Sequence, residues 1–86
     1  MATVDEVRAS MHQMAERATQ SLGALQQAHD IIEEARAGVV QIAQSSAQET
    51  AQEAIALLSK AMADVLEVQR TVQAATQTSQ GYASGL

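Results

Sequence analysis

The chain has 86 residues, no cysteine, no proline, no Phe or Trp, and a single aromatic residue, Tyr82. Its 47% hydrophobic content is largely alanine, so a compact core built on bulky anchors is excluded and close helix-to-helix seams are favoured. Ten acidic against five basic side chains, scattered along the chain with a net charge of −5, argue against nucleic acid and acidic membranes as partners.

The first element opens at Thr3-Val4-Asp5-Glu6, which reads as a capping box. The Thr3 hydroxyl accepts from the Glu6 amide, and Asp5 and Glu6 suit the positive end of the helix dipole. A 4-3 apolar ladder then runs through Val4, Val7, Met11, Met14, Ala18, Ser21, Leu25, Ala28, Ile32, Ala35, Val39 and Ile42. It predicts a first helix over about 4–44, with Ser21 the one polar rung. The flexible thioethers of Met11 and Met14 are read as seam filling rather than an adaptable docking surface.

Continuing that ladder would place Ser46, Glu49 and Glu53 on the seam, so the pattern stops. A second capping box, Ser46-Ala47-Gln48-Glu49, begins where it stops. Together they predict a turn at about 45–46. Two alternatives stay open: a hinge at Gly38, which costs about 1 kcal/mol in a helix relative to alanine, and one continuous helix.

A second ladder, Ala47, Ala51, Ala54, Leu58, Ala61, Val65, Val68, Val72 and Ala75, predicts a second helix over about 47–79. Gly81 is its expected left-handed cap. The tail 80–86 is expected to fray or to lead into a further domain. The fold class is therefore all-α: two long antiparallel helices forming a hairpin, or antiparallel coiled coil, in one domain. At 1.5 Å per residue each helix is about 50 to 60 Å long.

Flanking residues make the apolar face wider than a two-stranded seam needs. They are Ala15, Leu22, Ala24, Ile31 and Val40 beside the first ladder, and Ile55, Leu57, Met62 and Leu66 beside the second. Burying them takes further helices. The expectation is a homodimer forming a four-helix bundle, or docking on a helical partner protein. Leu25, Ile32, Val39, Leu58, Val65 and Val72 are assigned to the seam, and Ile55, Met62 and Leu66 to the surface that recruits a second hairpin.

No constellation carries a reaction. His29, Asp30, Glu33 and Glu34 form the densest polar cluster, and His29 and Glu33 lie one turn apart. The second helix offers no histidine to complete a metal site, so the cluster reads as a solvated face and no metal or cofactor is expected. Ser45 and Ser46 lack an activating His and Asp, and no glycine-rich phosphate loop occurs. The chain is read as non-enzymatic. No stretch approaches a membrane span, and the first residues, Met-Ala-Thr-Val-Asp-Glu, have neither basic region nor hydrophobic segment. A cytoplasmic protein, or one exported without a cleavable signal peptide, is expected.

The opening Thr-Val-Asp-Glu-Val-Arg, Leu22-Gly23-Ala24-Leu25-Gln26, Ala54-Ile55-Ala56-Leu57-Leu58 and the closing Gly81-Tyr82-Ala83-Ser84-Gly85-Leu86 resemble short actinobacterial helical proteins. With the helix-turn-helix layout and alanine-rich seams, the chain resembles the WXG-motif hairpins of type VII secretion and the N-terminal helical regions of polymorphic toxins. Of the Trp-x-Gly turn, Arg36-Ala37-Gly38 carries only the glycine. Tyr82 stands as the tyrosine of an export signal, with Leu86 at the family's acidic position. The resemblance implies a secretion- or toxin-associated adaptor or leader with Tyr82 in its export signal. A constitutive homodimeric coiled-coil scaffold with no secretion role is the rival reading.

Overall fold

A computed structural model describes the backbone of residues 1–45 and 49–86. It contains two helices, α1 (Val4–Ser45) and α2 (Glu49–Gly85), packed against each other along their lengths. The hairpin measures 64 × 18 × 14 Å between Cα extremes. At 1.5 Å per residue the 42 residues of α1 span about 63 Å, so the long axis is one nearly straight helix.

α1 begins as its sequence dictates. The Glu6 amide donates to Thr3 Oγ1 at 3.1 Å, and the Val7 amide donates to the Thr3 carbonyl at 2.9 Å. Gly38 lies inside α1, so neither the hinge there nor a single continuous helix describes this chain. The expected second capping box falls mainly on residues 46–48, outside the described residues.

α2 departs from expectation at its C-terminal end. It does not stop at Ser79 but runs to Gly85, through Gly81. No glycine among the described residues has a positive φ, so Gly81 is an interior helical residue rather than a cap. The reason is packing. Ser79 and Ala83 continue the 4-3 spacing of Val72 and Thr76, and Ala83 is 1% exposed. Arg8 reaches across from α1 to donate from Nε to the Ala83 carbonyl at 3.4 Å, and the Leu86 amide bonds back to that same carbonyl. The tail is the far end of the seam, not a frayed strand of chain.

Burial identifies the seam. On α1 it runs Met11, Ala15, Ala18, Leu22, Leu25, His29, Ile32, Arg36, Val39 and Ala43. On α2 it runs Ala51, Ile55, Leu58, Met62, Val65, Gln69, Val72, Thr76, Ser79 and Ala83. Met11, Ala18, Leu25, Ile32 and Val39 of the first ladder and Ala51, Leu58, Val65 and Val72 of the second lie on the seam, and the rungs Val7, Ser21, Ala28, Ala54 and Ala61 are half-buried too. The alternate rungs differ. At the ends of α1 the buried residue falls four positions after the shared one rather than three, so Ala15 replaces Met14 and Ala43 replaces Ile42, whereas Leu22, His29, Ile55 and Met62 share burial with Ser21, Ala28, Ala54 and Ala61.

Polar residues at this seam fix its register. Arg36 Nη1 donates to Ser59 Oγ at 3.2 Å, and Gln69 Nε2 donates to Gln26 Oε1 at 3.3 Å. A one-heptad slip would break both, leaving Arg36 with Gln52 or Leu66 in place of Ser59. Thr76, the one buried polar residue identified, returns its hydroxyl to the Val72 carbonyl at 2.9 Å. His29 is the exception: its Nδ1 is buried without a hydrogen-bond partner.

Candidate interaction surface

The hairpin has two broad faces, and cross-helix neighbours show which residues share each. On one face Gln80 lies beside Ala15 and Thr19, and Gln52 beside Val40 and Ala43. The Gln26–Gln69 and Arg36–Ser59 bonds lie on this side too. Residues one and four positions after each of Arg8, Ala15, Leu22, His29 and Arg36 therefore line it, with their counterparts on α2. On α1 they are Ala9, His12, Glu16, Thr19, Gly23, Gln26, Asp30, Glu33, Ala37 and Val40, and on α2 they include Gln52, Ser59, Leu66, Gln73 and Gln80, so polar residues alternate with small and apolar ones.

The opposite face takes the residues on the other flank of each seam. In α1 these include Met14, Arg17, Ser21, Ala24, Ala28, Ile31, Ala35, Gly38 and Ile42. In α2 they are Ala54, Leu57, Ala61, Asp64, Val68, Thr71, Ala75, Thr78 and Tyr82. Both sets repeat with 4-3 spacing, so each helix carries a second stripe beside the one that forms the hairpin. The larger members protrude into solvent: Met14 is 56% exposed, Ile31 57%, Leu57 67% and Val68 46%. Apolar residues predominate along this face, interrupted by Arg17, Ser21, Asp64, Thr71 and Thr78.

The residues assigned from sequence divide between these places. Leu25, Ile32, Val39, Leu58, Val65 and Val72 sit on the intrahairpin seam, each half-buried. Ile55 and Met62, expected to recruit a second hairpin, are seam residues instead. Their bulk fills the gap between the helices, and Ala54 and Ala61 beside them are half-buried at its edge. Leu66 is exposed on the polar face, away from the apolar band. Tyr82 is 57% exposed, on α2 at the end of the apolar face. Ile31 and Leu57, expected as flanks that widen the apolar face, are exposed on it, and Val68, expected as a rung of the second ladder, joins them there.

The polar cluster is real but one-sided. Ligand-capable atoms of His29, Asp30 and Glu33 lie within 4.8 Å of one another. His29 Nδ1 is 3.6 Å from Asp30 Oδ1, with the imidazole side chain only 16% exposed and both carboxylates in solvent. All three come from adjacent turns of α1, so a bound cation would have ligands on one side only. Among the described residues no helix is long and apolar enough to cross a membrane. Compared with known proteins, the chain matches no family model, no curated protein and no solved structure.

Proposed function

We propose that this chain is a non-enzymatic helical module for protein–protein interaction, working through the apolar face of the hairpin. One observation carries the reading. The chain exposes 6248 Å², whereas a compact protein of 9.1 kDa exposes about 4,900 Å². The elongated shape, 64 × 18 × 14 Å, accounts for that excess, and along one face of it Met14, Ile31, Leu57 and Val68 stand 46–67% exposed. Water-facing rows of this kind are what partner helices bury.

The likeness to secretion- and toxin-associated hairpins gives the module its finer role, an adaptor or leader that accompanies a secreted protein. In that role Tyr82 is the residue read by the export machinery. Its exposure at the end of α2 leaves its hydroxyl accessible. Expression in an actinobacterial host with a type VII system tests this. An export substrate reaches the culture supernatant, and Tyr82→Ala retains it in the cells. Retention of both forms removes the secretion role and leaves a constitutive scaffold. The interaction reading itself is tested by a photo-crosslinking residue at Leu57 in living cells, with the same residue at Gln13 as control. Adducts from Leu57 alone are expected; none from either position overturns the reading.

A further inference from the structure

We propose that the hairpin has a second packing, reached by rolling both helices about their own axes. Only the first packing, with Ile55 and Met62 on the seam, displays the apolar face. The roll stands on the seam alone; its consequence for binding rests on the interaction-module reading.

The burial pattern is the first argument. At mid-length the seam lies between two phases, for Ser21 and Leu22, Ala28 and His29, and Ala61 and Met62 are half-buried as adjacent pairs. Successive residues point 100° apart on a helix, so burying the first or the second of each pair differs by a roll of about 50°. The middle of the hairpin stands part of the way between.

Register is the second. The Arg36–Ser59 and Gln26–Gln69 bonds fix which turns of α1 and α2 stand level. To within one residue, Met14 is then level with Tyr82, Ala28 with Val68 and Ala35 with Ala61. Rolling the two helices in opposite senses meshes these residues without a slide along the axis. In the first packing Met14 is 56% exposed, Val68 46% and Tyr82 57%.

Polarity is the third. The first packing takes His29, Arg36 and Gln69 into the seam, and His29 Nδ1 is buried there without a hydrogen-bond partner. The rolled packing returns all three to water and takes in Ala28, Ala35 and Val68 instead. Against it, Ile55 and Met62 turn outward and the two cross-helix bonds are exchanged for bonds to water. Gains and losses are thus of one kind and oppose each other, the condition under which one sequence keeps two packings. Rolling draws Met14 and Val68 into the seam and Ile31 and Leu57 to its edge, so the rolled form lacks the apolar face. A partner seated on that face holds the helices in the first packing, and its affinity falls as the rolled fraction rises.

Attenuation of methyl NMR signals by a water-soluble gadolinium chelate, on the 9.1 kDa monomer, reads which side chains face water. Ile55→Ala with Met62→Ala removes the side chains that hold the first packing. Attenuation at the Met14 and Val68 methyls is expected to fall at least about twofold, as it must once the rolled form is the majority, and at Leu22 to rise. Should that pair lose helicity by circular dichroism, Leu22→Lys carries the same test, because a charge there is released to water by the roll. Met14 and Val68 methyls as open to the chelate in the folded variant as in wild type overturn the second packing. For binding, Leu22→Lys is combined with the crosslinker at Leu57; Leu22 lies off the apolar face, so only the roll connects the two. Adducts are expected to drop. Adducts equally abundant with and without Leu22→Lys overturn the gating, and adducts absent from both forms overturn the interaction reading, which the chelate measurement does not touch.

Discussion

Leu57 and Leu58 are adjacent in sequence and chemically identical, and the structure assigns them opposite energetic roles. Leu58 sits half-buried on the seam, while Leu57 is 67% exposed on the apolar face. Truncating leucine to alanine removes three carbons, worth about 0.8 kcal/mol each when fully buried. The seam is open at its edges and neighbouring side chains can settle into the gap, so Leu58→Ala should cost about 1.5–2 kcal/mol. For a chain of this length each kcal/mol lowers the melting temperature by about 4–8 °C. Leu58→Ala should thus melt about 6–16 °C below wild type. In the isolated hairpin Leu57→Ala should cost under about 0.5 kcal/mol, because its side chain gives up little buried area on truncation. Thermal melts followed by far-UV circular dichroism, run dilute enough for the chain to be monomeric, measure both. Equal shifts for the two variants would refute the phase of the α2 seam, and a larger shift for Leu57→Ala would reverse it.

The remaining expectations concern the helix end, the unpartnered histidine and the surface charges. Gly81→Ala should stabilise by about 0.8–1 kcal/mol, since an added Cβ meets nothing within 4 Å and α2 is helical there; an unchanged melt would mean the helix ends before Gly81. Arg8→Ala should speed amide exchange in residues 82–86 with little effect at mid-helix, because Arg8 binds the Ala83 carbonyl; unchanged exchange there would show that the contact holds nothing. His29→Leu removes a buried nitrogen that lacks a partner and should stabilise by about 1–2 kcal/mol. A loss of stability instead would mean that the imidazole is bonded in solution. Lys60→Ala should change stability by less than about 0.5 kcal/mol, although its ammonium lies 2.7 Å from Asp64, because both side chains are mostly in water.

Most of the architecture was legible because it depends on coarse signals. The Thr3 cap, the absence of proline and the run of the first ladder to Ile42 define α1, and the break in phase after it defines a hairpin. Every seventh residue from Met11 to Val39, and from Ala51 to Val72, was placed on the seam from spacing alone. The C-terminal end was misread for a local reason. Gly81 has the chemistry of a cap, and only the cross-helix contact of Arg8 with Ala83 reveals that the helix continues. Local sequence carries no record of a partner 75 residues away.

The phase of the alternate rungs was ambiguous for a deeper reason. In α1 the residues three after each shared position are Met14, Ser21, Ala28, Ala35 and Ile42; those four after are Ala15, Leu22, His29, Arg36 and Ala43. By apolar content the first set is the better core, since the second carries an imidazole and a guanidinium. In α2 the preference is split: Ile55 and Met62 outweigh Ala54 and Ala61 near the turn, whereas Val68 and Ala75 are more apolar than Gln69 and Thr76. Two antiparallel helices bring like flanks together, so they cannot each choose a flank independently. The bulky Ile55 and Met62 on α2 draw α1 onto its more polar flank. There Arg36 finds Ser59, whereas His29 Nδ1 is left unbonded. Of the rungs displaced by that choice, Met14, Ala35 and Ile42 face water, beside the exposed Ile31, while Ser21 and Ala28 stay half-buried. An apolar stripe that a protein's own hairpin passes over in favour of a more polar one is the kind of surface a further helix pair would cover.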